Sequence, residues 1–201
     1  MFASIFLSAL FLFQTPSVGA SATPTPEMPA KSSDRSDDKK LALDEPLSVT
    51  KHSMKIGPKT LNYTVTTGYM PIRDERTGET EAKLFFMAYK LDNAGPAEKR
   101  PLMFSFNGGP GSASVWLHLG AIGPKRVKML DSGFMPPAPY QLVDNEQTWL
   151  AETDLVFIDP VGTGYSRAVD QKKAEKFFSV NGDIQSVGEF IRLYLTRYER
   201  W

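Results

Sequence analysis

The chain has 201 residues, enough for one domain with a core of its own. Its 23 Lys+Arg balance 23 Asp+Glu to a formal net charge of zero, so no basic excess points to nucleic acid or to an anionic membrane. With no cysteine and only two histidines, His52 and His118, it has neither a disulfide framework nor a supported metal site.

Phe2 to Phe13 is almost wholly apolar, and Ser17-Val18-Gly19-Ala20-Ser21-Ala22 then offers small residues in Ala-x-Ala order. That is the layout of a secretory signal peptide, residues 1–22, cleaved after Ala20 or Ala22. The segment is shorter than the ~20 residues of a membrane span. The protein is therefore expected to be exported, to a periplasm or to the cell exterior. Residues 23–46 change character: Thr-Pro repeats give way to a polar run of mixed charge from Lys31 to Lys40. Such a stretch can bury little apolar surface and is predicted to be a disordered linker. Residues 47–201 are left as the folded portion.

Within that portion, Ser48–Ile56 and Lys59–Thr67 read as two strands broken at Gly57-Pro58. Pro71 to Thr80 is a charged turn region, and Lys83–Lys90 is a third strand. A polar loop over 92–100 leads to an apolar strand ending near Phe106. There the chain turns abruptly into Asn107-Gly108-Gly109-Pro110-Gly111-Ser112. Glycine allows unusual dihedrals and close approach to a ligand, while Pro110 stiffens the turn and keeps Gly109 out of the helical region. Backbone N–H groups held in this way can donate to an oxygen that turns negative in a transition state. Residues 112–119 allow one or two helical turns, ended by Gly123-Pro124. A further strand is expected from Arg126 to Leu130, and a loop over 135–140.

Leu155–Ile158 is a continuous apolar run, as expected of a strand covered on both faces in a parallel sheet. It leads into Asp159-Pro160-Val161-Gly162-Thr163-Gly164-Tyr165-Ser166. Two strands ending in glycine loops describe an α/β sheet with a site at its carboxyl edge. The last element is a helix capped by Asn181 or Asp183. Ile184, Val187, Phe190, Ile191, Tyr194, Leu195 and Tyr198 form its apolar face.

The two loops, with Trp149-Leu150 before the second, resemble the serine carboxypeptidase family from about Leu61 to Trp201. The resemblance implies the amino-terminal part of an α/β-hydrolase fold, a mixed, mostly parallel sheet flanked by helices and incomplete at the carboxyl end. It implies that Gly109 donates its N–H to the oxyanion. Asn107 and the Gly108 amide would bind the carboxylate of the substrate's last residue. The partner is then a peptide or protein with a free carboxyl terminus, and no cofactor is called for. The absence of cysteine fits a bacterial member.

Two departures bear on specificity. The family's Trp two residues before the Asn is Ser105 here, and its Glu two residues before Gly-Pro is Ala121. That Glu shares a proton with the substrate carboxylate in acid-active members, so an acyltransferase or esterase is the alternative activity. No G-x-S-x-G elbow occurs. Ser166 lacks the second glycine, His52 and His118 precede the position of a triad base, and Asp154 and Asp159 read as strand-end residues. Nucleophile, acid and base are accordingly expected after Trp201, and this chain alone is expected to be inactive. A natural chain ending at Trp201 would instead be a binding relic. Gly162-Thr163-Gly164 is too little for a dinucleotide fingerprint.

Overall fold

Apolar and polar residues alternate through the first strands, so one face of each is committed to a core. The computed structural model describes residues 46–108 and 111–201. The predicted signal peptide (1–22) and all but the last residue of the predicted linker (23–46) lie outside the described residues.

In chain order the strands are β1 (Ser48–Ile56), β2 (Lys59–Arg73), β3 (Thr80–Leu91), β4 (Leu102–Ser105), β5 (Lys125–Val127), β6 (Leu142–Asp144), β7 (Asp154–Ile158) and β8 (Arg167–Ala168). The helices are a single turn, α1 (Val115–Leu117), and the long α2 (Val180–Arg197). Main-sheet order is β1-β2-β3-β7-β4, with β8 paired to β3. β5 and β6 make a separate two-stranded ribbon. Parallel pairing is confined, among the described strands, to β4 beside β7; the remaining pairs are antiparallel. Short turns at Gly57-Pro58 and 74–79 impose antiparallel hairpins on β1–β3, whereas β4 and β7 are joined by a crossover long enough for parallel pairing.

β2 runs six residues beyond its predicted end, through Gly68 and Pro71. Pairing with β1 stops at Ser48↔Thr67, so beyond Thr67 that side of β2 pairs with no strand among the described residues. A proline there removes no ladder bond.

The sheet has two covered faces. On one, Ile72, Leu84, Phe86, Val156 and Ile158 pack against Val187, Phe190 and Tyr194 of α2. On the other, Tyr63, Val65, Tyr89, Leu155 and Phe157 pack with Ile122 and Leu150. β7 is buried throughout, as its unbroken apolar sequence predicts.

α2 begins earlier than expected. Its cap is Ser179, whose hydroxyl accepts the Gly182 N–H at 3.0 Å, not Asn181 or Asp183. Asp183 instead lies in the first turn, where a carboxylate opposes the helix dipole favourably. Ile184, expected on the apolar face, is 65% exposed, and Ser186 takes the inward position one turn before Phe190. A 3-10 stretch, Gln171–Phe178, precedes the helix and buries Ala174 and Phe177.

At the opposite end of the sheet from the glycine loops, Asp154 opens β7 as a buried carboxylate. Its Oδ1 accepts from Arg100 Nε at 2.8 Å and from the Leu91 N–H at 3.1 Å. Its Oδ2 accepts from Arg200 Nη1 at 2.8 Å. Arg100 also donates to Leu150 O, and Arg200 donates to Arg100 O. Both guanidinium groups are largely buried as well.

Candidate active site

β4 and β7 are parallel neighbours, with Leu102↔Asp154 through Ser105↔Phe157 in register. Both therefore deliver their carboxyl ends, and the glycine loops that follow, to one edge of the sheet. Open α/β sheets place their sites at that edge.

Asn107 leaves β4 half-buried. Its Oδ1 accepts the Leu117 N–H of α1 at 3.3 Å. An N–H can only donate, so this contact fixes which end of the amide is oxygen. The Nδ2 group is left without a partner among the described residues. Gly108 is exposed, with open space where a Cβ would be. Gly109 and Pro110, and with them the predicted oxyanion donor, lie outside the described residues.

The chain leaves this loop at Ser114, which is buried and donates twice to Asp159 Oδ1: from its N–H and from its hydroxyl, both at 2.9 Å. α1 passes directly into a π-helical turn, His118–Ile122, a form found mostly as single turns and frequently at functional sites. His118 anchors the turn. Its Nε2 lies 2.6 Å from Tyr89 Oη, and its ring stacks on Phe157 with centroids 4.4 Å apart. Burial pushes its pKa down to about 4, against a smaller upward pull from Asp159. Burial likewise raises the pKa of Tyr89. Gly123 closes the turn, and a Cβ there would fall 2.2 Å from His118 O.

Asn145 holds the same turn from outside. Its Nδ2 donates to Ala121 O at 2.7 Å and to Gly123 O at 2.8 Å, while Thr148 Oγ1 donates to Ile122 O at 2.9 Å. Ala121 is exposed. Ser105 is buried, and its hydroxyl has no hydrogen-bond partner among the described residues.

The second loop folds on Asp159. Ser166 Oγ donates to Asp159 O at 2.6 Å and accepts the Phe85 N–H at 2.8 Å. With its hydroxyl so occupied and no exposed surface, Ser166 is a loop-closing residue. His52 lies on the outer strand β1, bonded to Thr50 Oγ1 and stacked on Tyr63. The fold therefore brings together Asn107, Gly108, Ser114, His118 and Asp159, and keeps His52 and Asp154 apart from them. The roles of Asp159 and Tyr89 were hidden in the sequence, because their partners lie 45 and 29 residues away.

No group of three or more acidic, His or Cys residues suited to a metal occurs among the described residues. A cavity of about 550 Å³ lies elsewhere, between the β2–β3 turn and α2, and is lined by Arg73, Glu81, Lys176, Gln185 and Glu189 among others.

A parallel strand pair ending in two glycine loops, the first running into a helical turn anchored by the buried His118 and Ile122, defines an α/β protein with its candidate site at the carboxyl edge. The serine carboxypeptidase family model matches residues 57–200, and the chain belongs to that family. The α/β-hydrolase expectation for its fold holds for a mixed sheet with helices packed upon it, but not for mostly parallel pairing: among the described strands only β4 and β7 pair in parallel, because tight turns join β1–β3 as antiparallel hairpins. Pheromone-processing carboxypeptidase KEX1 of Saccharomyces cerevisiae is 32% identical over 138 residues, covering 65% of this chain and 17% of that protein. The Debaryomyces hansenii protein of the same description is 33% identical over 93 residues, covering 46% of this chain and 12% of its own length. The crystal structure of the Saccharomyces cerevisiae prohormone-processing carboxypeptidase Kex1(delta)p covers 68% of this chain and 28% of its own, with 28% identity and a TM-score of 0.49. The chain thus spans less than a fifth of the two curated relatives named here.

Proposed function

We propose that this chain is the amino-terminal part of an exported serine-type carboxypeptidase that releases carboxy-terminal amino acids through an acyl-enzyme. It contributes the oxyanion and carboxylate-binding loop, and the nucleophile, acid and base follow Trp201. Taken alone the chain is inactive. In the reaction a serine hydroxyl attacks the last peptide carbonyl, its proton passes to the base, and the carbonyl oxygen becomes negative. The Gly109 N–H stabilises that oxygen. The C–N bond then breaks, the amine leaves with a proton, and water hydrolyses the ester.

One observation carries the carboxypeptidase reading beyond membership of the family. The Leu117 N–H holds Asn107 by its oxygen, which leaves the amide's two donors without a partner among the described residues and available to a substrate carboxylate. Export is supported by the apolar run Phe2–Phe13 and the small residues after it. Ala121 favours a second reading, an acyltransferase or esterase, because a methyl side chain cannot share a proton with a bound carboxylate.

The test is the coding sequence beyond Trp201, followed by kinetics on the full-length protein. A downstream Gly-Glu-Ser-Tyr, then Asp, then His, with release of a carboxy-terminal residue from a blocked dipeptide, supports the proposal. Asn107→Ala should raise KM for that dipeptide by about tenfold and leave KM for an ester lacking a free carboxylate within about twofold. Turnover of esters or acyl donors without peptide hydrolysis moves the assignment to the second reading. A stop codon after Trp201 with matching intact mass refutes both.

A further inference from the structure

Asp159 is a buried carboxylate at the end of β7 that no step of the proposed hydrolysis uses. Its two oxygens face different loops. Oδ1 accepts the N–H and the hydroxyl of Ser114, where the first glycine loop meets α1, both at 2.9 Å. Oδ2 accepts the Tyr165 N–H of the second glycine loop at 3.2 Å. Gly164 makes room for this contact. It sits at φ +45, and a Cβ there would fall 1.9 Å from Asp159 Oδ2. The second loop is itself closed, with the Gly162 N–H donating to Ser166 O at 3.1 Å and Ser166 Oγ to Asp159 O.

The link continues into the candidate site. Ser114 O accepts the His118 N–H at 2.9 Å across α1, and within that turn Leu117 supplies the N–H that holds Asn107. A shift of Ser114 therefore moves the donor that aims the Asn107 amide.

We infer that Asp159 is a positioning residue: its carboxylate couples the two glycine loops, and through Ser114 and α1 it sets the orientation of Asn107. This rests on the role proposed above for Asn107. Asp159→Asn is the sharpest variant. Its oxygen can still accept from Ser114, but its NH₂ cannot accept from the Tyr165 N–H.

In the full-length protein, Asp159→Asn should speed amide exchange in residues 162–166 and 111–117 together, while β3 and β7 stay protected. KM for a blocked dipeptide should rise about tenfold, with KM for an ester lacking a free carboxylate within about twofold. Ser114→Ala, which removes only the hydroxyl donor, should show the same pattern at smaller size, and it decides the matter if Asp159→Asn does not fold. Faster exchange in one loop alone overturns the inference. So does a fall in kcat common to both substrates with both KM values unchanged, since lost active protein explains that. If the wild type turns over neither substrate, the carboxypeptidase reading fails and the exchange data alone judge the coupling.

Discussion

The imidazole of His118 is closed in by Phe157 on one face and by Tyr89 at its edge, and loss of water holds its pKa at about 4. In the unfolded chain the same group titrates near 6.5. Between those values the unfolded state binds more protons, so stability falls as pH drops from about 6.5 to about 4 and is level below that. This difference corresponds to about 3 kcal/mol. The neighbouring ionisable groups are Tyr89 on β3 and Asp159 at the end of β7, with Tyr63, Lys125 and Asp144 further along that face. Replacing the pair by His118→Leu with Tyr89→Phe, so that neither polar group is stranded, should flatten the pH dependence of the urea midpoint over that window. An unchanged slope would show that His118 titrates normally. The sequence placed His118 only before the position of a triad base. The partner that makes its burial tolerable, Tyr89, lies on a separate strand with no local signal.

At the scale of elements, α2 shows what periodicity can and cannot give. Val187, Phe190 and Tyr194 recur at helical spacing and all reach the core. Ile184 obeys the same spacing and does not, since it lines the open cavity between the β2–β3 turn and α2. Spacing defines a face, and the partner element decides how much of that face is covered. The glycine loops were legible because glycine and proline act through local backbone geometry. The extension of β2 was not, because Pro71 is a breaker only where a neighbour needs its N–H. The other end of α2 ties into the sheet through Arg200, Asp154 and Arg100. Asp154→Ala leaves two buried guanidinium groups without their counter-ion and should lower stability by about 3–5 kcal/mol, read as a fall in the urea midpoint at constant slope. A loss below about 1 kcal/mol would place the pair in water-accessible space.

For the molecule as a whole, the described sheet has two outer strands of unlike character. β1 is polar along most of its length and bears Lys51 and Lys55, charges that discourage pairing with another chain. β4 is short and apolar, with Leu102, Met103 and Phe104 only half-buried and no strand beyond it among those described. Residues 46–201 expressed alone should therefore self-associate through β4, at a concentration dependence visible in sedimentation velocity, and should show no peptidase turnover. Charged substitutions at Met103 and Phe104 that left the association constant unchanged would exclude that edge. Turnover by this piece would refute the division of labour proposed for it. The antiparallel start and buried β7 could be read from the sequence, whereas the strand order could not, since β7 inserts between β3 and β4 by contacts with no local signal.

The ion pair between Arg200 and Asp154 also bears on how the protein is made. Arg200 caps a contact with Arg100, one hundred residues earlier in the chain, so the ribosome must finish α2 before that end of the sheet can close. Until then Asp154 has Arg100 as its cation and the Leu91 N–H as its other donor, and β3, β4 and β7 stand without the helix that covers one of their faces. Domains emerge at about 5–20 residues per second and fold as units, which leaves several seconds in which a nascent chain exposes Phe86, Val156 and Ile158. Arg200 acts in this sense as a latch on that end of the described sheet, and until it arrives a nascent chain exposes this apolar face.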